Sequence, residues 1–281
     1  MLKFTKMHGI GNDYIYINAF EQKIDDPNAL ALKLSDRHFS IGGDGVILIC
    51  PSDVADAKMR MFNADGSEGM MCGNGVRCVG KYVYDNLLTD KSRDTITIET
   101  LSGIKTLKIT AVDGKAELLE VDMGKAILKA SDIPVIYENE EKVIAKPLIV
   151  DSKEHIVTCV SMGNPHCVTF VDDVDSLELE KIGPSFENHE AFPQRINTEF
   201  VKVIDEKTLQ MRVWERGSGE TWACGTGACA TVVAACENGY CKKGDDITVH
   251  LRGGDLIINY TDGRVLMTGP ATKVFDGEIE V

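Results

Sequence analysis

The chain has 281 residues, 43% of them hydrophobic, nine cysteines and a formal net charge of −14. That apolar content is enough for the core of one large domain or of two ordinary ones, which excludes a disordered chain. The acidity, not offset by any long run of Lys or Arg, excludes nucleic acid and anionic membrane surfaces as partners by repulsion.

In chain order, residues Met1 to His8 contain no continuous apolar segment, and no later run approaches the roughly 18 residues of a membrane span. A soluble chain that is not exported is expected. Asp26-Pro27 is a cap and first-turn pair for a helix reaching about Arg37, and Val46 to Ile49 reads as a strand. The glycines of Gly42-Gly43-Asp44-Gly45 therefore run into a strand, whereas a dinucleotide loop needs a helix there. Residues 95–99, 104–110 and 116–121 alternate as strands, with Asp113-Gly114 as a hairpin turn and a crossover near Val121 to Pro134. From Gly225 a helix runs apolar on every side until Glu237, so it must be buried all round.

The odd cysteine count rules out a complete disulfide framework, and the close pairs Cys72/Cys78, Cys224/Cys229 and Cys236/Cys241 lack the two-residue spacing of zinc or redox sites. Six histidines are scattered singly. A reducing cytoplasm and no metal are expected. Cys50, Cys78, Cys159, Cys167, Cys229, Cys236 and Cys241 read as inert buried thiols.

Self-comparison separates out the other two cysteines. Met59-Arg60-Met61-Phe62 returns as Met211-Arg212-Val213-Trp214, Glu68 as Glu220, Cys72-Gly73-Asn74-Gly75 as Cys224-Gly225-Thr226-Gly227, and Gly11-Asn12 as Gly163-Asn164, all 152 residues apart. That offset is far longer than a solenoid repeat of about 20–50 residues and matches a whole domain. The expected fold is α+β: two pseudo-symmetric domains from an internal duplication, each a strand-rich roll or barrel around a central buried helix, with the active site in the cleft between them. Residues 1–121 with 266–281 form the Cys72 half, and 122–265 the Cys224 half.

Each Cys-Gly-x-Gly stands where a polar turn gives way to a helix. The helix end is expected to bring the thiol down from about 8.5 towards neutrality. The N–H groups of Gly73, Asn74, Gly225 and Thr226 form a cradle for a carboxylate. One sulfur on each face of an α-carbon is what stereochemical inversion needs, one removing the proton and the other supplying a new one, without a pyridoxal ring.

At these residues, and at Met7-His8-Gly9-Ile10-Gly11-Asn12-Asp13, Phe62 to Glu68, Cys72 to Cys78, Met162-Gly163-Asn164-Pro165-His166 and Glu215-Arg216-Gly217 through Gly227, the chain closely resembles the diaminopimelate epimerases over essentially its whole length. The resemblance implies a cofactor-free isomerase that interconverts LL- and meso-diaminopimelate in lysine and peptidoglycan precursor synthesis, and a homodimer. It makes Cys72 and Cys224 the acid/base pair and has Gly73, Asn74, Gly225 and Thr226 hold the α-carboxylate. Asn12, Asn63, Asn164, Asn197, Glu215 and Arg216 bind the distal end, and His166 and Glu215 tune the cysteines. Arg216 for a carboxylate, Glu215 for an ammonium and the asparagine amides suit such a zwitterionic end. One departure is Gly45, where the family can carry a substrate-touching Gln. Arg77 and Asp65 read as braces for turns and helix ends.

Two other classes meet the same residues less well. A thiol hydrolase needs one nucleophile with a dedicated histidine, and no histidine recurs. A binding module has no use for a thiol at both helix ends. Proline and hydroxyproline racemases share the two-cysteine logic, but their substrate has no distal head group for Arg216 and Glu215.

Overall fold

The computed structural model describes residues 1–86, 88–90, 92–137, 140–261 and 263–281. In chain order its elements are β1 (Leu2–Gly9), β2 (Asn12–Asn18), α1 (Pro27–Leu34), β3 (Gly45–Cys50), β4 (Ala57–Asn63), β5 (Glu68–Gly69), α2 (Gly73–Asp85), β6 (Thr95–Thr100), β7 (Gly103–Val112) and β8 (Lys115–Lys125). There follow β9 (Lys146–Val150), β10 (Lys153–Ser161), β11 (Pro165–Phe170), α3 (Leu179–Glu187), β12 (Asn197–Asp205), β13 (Thr208–Glu215), β14 (Gly219–Thr221), α4 (Gly225–Glu237), β15 (Asp246–Leu251), β16 (Gly254–Thr261), β17 (Arg264–Pro270) and β18 (Thr272–Ile279). They form two compact units, Met1–Asp122 with Thr268–Val281, and Met123–Met267. Both boundaries fall inside strands, β8 and β17.

In the first unit β1 pairs antiparallel with β2 and β18, β2 runs parallel to β3, β3 antiparallel to β4, and β4 parallel to β6. Strands β6, β7 and β8 form a meander. Its last turn is Asp113-Gly114, both at positive φ (49° and 73°), the geometry that matches strand twist in a two-residue hairpin. Helix α1 starts as its sequence dictates, Asp26 accepting from the Ala29 N–H at 3.0 Å. It stops at Leu34, short of the expected Arg37, because the Asp36 carboxylate takes the N–H groups of His38 (2.8 Å) and Phe39 (2.9 Å) into a turn. Buried α2 lies against β1, β2, β4 and β6.

The second unit repeats the pattern: β10 antiparallel to β11, β11 parallel to β12, β12 antiparallel to β13, β13 parallel to β15. The duplication is kept to the residue. Tyr14 pairs with Gly45 in the first parallel ladder and His166 with Asn197 in the second, each 152 positions on. Helices α2 and α4 are both 13 residues long and begin at Gly73 and Gly225. The recurring Arg and Glu explain themselves: Arg60 grips Glu68 with two bonds of 2.8 and 3.0 Å, and Arg212 grips Glu220 with the same two lengths, clamping the short strand before each cysteine.

Two consequences can be measured. A Cβ at Gly183 of α3 would lie 2.3 Å from Trp214 Cδ2, and that ring is fixed by its Nε1 donating to Glu187 at 2.8 Å. Gly183→Ala should therefore cost about 1–3 kcal/mol, read as a lower urea midpoint. Cys78, wholly buried in α2, has its thiol pushed by burial from 9.0 up to about 11. The folded chain then holds this proton more tightly than the unfolded one. Its contribution is fully present below pH 9 and is lost as pH rises from 9 to 11, by up to about 1.4 kcal/mol per pH unit. Denaturation midpoints taken across that range should fall, and less steeply in Cys78→Ala.

Candidate active site

In the first unit Cys72 is the N-cap of α2, in extended backbone, its Sγ accepting the Gly75 N–H at 3.3 Å. A Cβ at Gly75 would meet Ile47 Cδ1 at 2.9 Å, so glycine lets the first turn settle on β3. The Cys72 thiol also donates to Asn12 Oδ1 at 3.2 Å. Asn12 is held in turn by Asp44 (Nδ2 to Oδ2, 2.7 Å), and Arg37 bridges Asp44 (2.9 Å) and Asp13 (2.7 Å). Against the burial that opposes it, Arg37 and Lys6 keep the Asp13 carboxyl below its ordinary value. Gly73 and Asn74 lie over Arg77, a fully buried guanidinium that donates to Asn74 Oδ1 (2.9 Å), Gly73 O and Pro270 O (both 3.3 Å). Asn63, at the end of β4, bonds Ser67 Oγ at 3.0 Å. At Gly45 a Cβ would come 2.0 Å from the Phe62 carbonyl, so a side chain there would require the backbone to move.

In the second unit Cys224 caps α4 and is buried. Its thiol donates to Glu215 Oε2 at 3.3 Å, and Thr226 Oγ1 lies at 3.6 Å. The other Glu215 oxygen takes the Thr221 hydroxyl. Thr226 accepts from Asn164 Nδ2 at 3.3 Å, Asn164 Oδ1 faces His166 Nε2 at 3.0 Å, and His166 Nδ1 faces Glu199 Oε1 at 2.7 Å. Asn197 ties the ladder to the turn after β13, donating to Pro165 O (2.8 Å) and accepting the Arg216 N–H (3.0 Å), while the Arg216 guanidinium reaches Gln194 O at 3.1 Å.

The predicted residues thus gather into two sets. Asn12, Cys72, Gly73 and Asn74 surround the start of α2, and Asn164, His166, Glu215, Cys224, Gly225 and Thr226 the start of α4. The sequence reading placed Glu215 both at the distal end of the substrate and beside a cysteine; here its carboxylate touches Cys224. One expectation is corrected. The helix end does not bring the Cys224 thiol down: burial first, then the Glu215 and Glu199 carboxylates, push it well above its ordinary value, and the opposing hydrogen bonds of Thr226 and Gly227 are weaker. Burial also raises Glu215, against the pull of Thr221, Cys224 and His166.

Sequence reasoning passed over Glu199, Thr221, Asp44 and Arg37. A signal for Glu199 existed: at the 152-residue offset it stands opposite Ile47, a carboxylate where the first half has an apolar strand residue.

Among the described residues, no helix is long and apolar enough to cross a membrane. The family description "Diaminopimelate epimerase" matches residues 4–129 and 158–274. The chain is similar to the diaminopimelate epimerase of Acetivibrio thermocellus, 58% identical over 284 residues, covering 100% of this chain and 99% of that one. It is also 58% identical over 282 residues to the diaminopimelate epimerase of Methanococcus maripaludis, covering 100% of both. Among solved structures, a hydroxyproline epimerase from Agrobacterium vitis shares the fold with a TM-score of 0.71 at 13% identity, covering 98% of this chain and 91% of that one. That likeness, and the two-domain pseudo-symmetric architecture it carries, concerns the fold alone. With its whole length matched at 58% identity and both twinned cysteine motifs in place, this chain belongs to the diaminopimelate epimerase family.

Proposed function

We propose that the chain interconverts LL- and meso-diaminopimelate without a cofactor, Cys72 and Cys224 exchanging the α-proton. The observation that carries this reading is a cysteine at the N-cap of each of two duplicated helices in a chain of this family. One sulfur, as thiolate, takes the α-proton, and the C–H electron pair moves towards the α-carboxyl group. The first-turn N–H groups at Gly73, Asn74, Gly225 and Thr226 take up the growing charge on that carboxyl group. The other sulfur, as thiol, gives its proton to the opposite face of the carbon, so each turnover ends with the two sulfurs exchanged in protonation. Cys224 beside Glu215 is the sulfur equipped to start as the thiol. Asn12, Asn63, Asn164, Asn197, Glu215 and Arg216 bind and orient the substrate in this reading. A homodimer in the cytoplasm, serving lysine and peptidoglycan precursor synthesis, belongs to the same reading.

The test is proton NMR of the purified chain with LL-diaminopimelate in deuterated buffer and no added cofactor. Loss of the α-proton signal with formation of the meso isomer supports the proposal. Exchange with proline or hydroxyproline alone would move the chain to the racemase reading, and no exchange with any amino acid would leave a binding module.

A further inference from the structure

The two half-sites share backbone and cysteine but differ in what lies buried beneath them. In the first unit Ile47 fills the space under the first turn of α2, 2.9 Å from where a Gly75 Cβ would stand. In the second unit the equivalent residue is Glu199, whose Oε1 lies 2.7 Å from where a Gly227 Cβ would stand. On the adjacent strand, Tyr14, opposite Gly45 in the first unit, is likewise replaced by His166, opposite Asn197. Glu199 and His166 both have wholly buried side chains. Glu199 Oε2, also buried, has no hydrogen-bond partner among the described residues. Placing a carboxylate there with one oxygen unsatisfied works against stability by about 1–3 kcal/mol, and residues that break a packing rule in this way mark functional places.

We propose that Glu199 is a positioning residue for Cys224: its carboxylate fixes the His166 ring, and through it the Asn164 and Thr226 side chains beside the sulfur, a device that the first half-site lacks. The proposal rests on the reading of Cys224 as a proton-transfer group. Glu199 Oε1 holds His166 Nδ1, the other ring nitrogen, Nε2, faces the acceptor Asn164 Oδ1, Asn164 Nδ2 donates to Thr226 Oγ1, and Thr226 Oγ1 lies 3.6 Å from Cys224 Sγ. The titratable groups facing Cys224 from its own unit are Glu215 of β13 and Glu199 of β12, with His166 of β11 between Glu199 and Asn164. Both carboxylates keep the proton on the sulfur. The duplication therefore supplies two like sulfurs, and the pair Glu199–His166 adds to Glu215 in making them unlike.

Glu199→Gln keeps the shape and removes the charge. Its effect is read on the ligand-free protein by mass-spectrometric alkylation of each cysteine against pH. The expected result is that Cys224 reacts about tenfold faster at a fixed pH below its midpoint, Cys72 is unchanged, kcat falls more than KM changes, and Glu199→Asp recovers part of the wild-type profile. An unchanged Cys224 profile in a folded Glu199→Gln protein would overturn the proposal. Should that variant not fold, nitrogen-15 NMR of the wild-type histidines decides: Nδ1 of His166 protonated and hydrogen-bonded upholds the proposal, and Nδ1 bare overturns it. Neither the alkylation profile nor the histidine NMR uses diaminopimelate, so a chain that keeps this coupling yet fails to epimerise would lose the proposed function alone.

Discussion

Replacing either Cys72 or Cys224 with alanine is expected to lower the rate of epimerisation by at least about 10³-fold, the scale of a lost acid/base group. The fold should survive. The Gly227 bond to Cys224 falls short of a full cap, and at Cys72 the loss is one cap bond, the Gly75 N–H donating to Sγ at 3.3 Å, costing about 0.5–2 kcal/mol. The variants should also differ from wild type in kind. With one sulfur left, deuterium can be taken from and returned to a single face, so one stereoisomer exchanges slowly with retention while inversion is lost. Deuterium uptake measured separately from the LL and meso isomers reads this directly. An alanine variant that still inverted at the wild-type rate would remove that sulfur from the reaction.

The twin cysteines were legible because a duplicated backbone preserves what the backbone itself requires. Cys-Gly-x-Gly recurs since a Cβ at Gly75 or Gly227 would strike Ile47 or Glu199, and Arg60–Glu68 recurs as Arg212–Glu220 since both clamp the same short strand. Helix α4 could be read from composition alone, its apolar residues leaving no face for water. What escaped was electrostatic and non-local. A helix end predicts a lowered thiol, but the outcome at Cys224 is set by burial and by carboxylates from β12 and β13, 25 and 9 positions earlier in the chain. The end of α1 escaped for a related reason. Arg37 fits a helical pattern, yet a short-range Asp36 turn takes it out of the helix and sends its guanidinium to Asp13 and Asp44. Glu199 stayed hidden because a single carboxylate in a strand says nothing until the fold shows that its hydrogen-bond partner is a histidine of the neighbouring strand.

Arg77 leads to the second large effect, and its partners say why. A fully buried guanidinium is tolerated only when its donors are satisfied, and Arg77 spends them on Asn74 Oδ1, Gly73 O and Pro270 O, two of them in the first turn of α2. The equivalent position in the second unit is Cys229, also wholly buried, so the duplicated fold does not itself require a cation there. Arg77→Leu removes the charge but leaves those acceptors without their donor, and should cost about 3–5 kcal/mol, seen as a large drop in the urea midpoint. Arg77→Lys should recover little of it, because an ammonium cannot reach the three acceptors in the planar geometry of a guanidinium. On the proposed role of the first-turn N–H groups as the carboxylate cradle, the loss should show in activity as well as stability, because Asn74 and the Gly73 carbonyl are then free to shift. At low urea, where the variant is still folded, KM should therefore rise along with the fall in kcat. A variant that was less stable but kept wild-type kinetics would show that Arg77 supports the core of the unit and not the site built upon it.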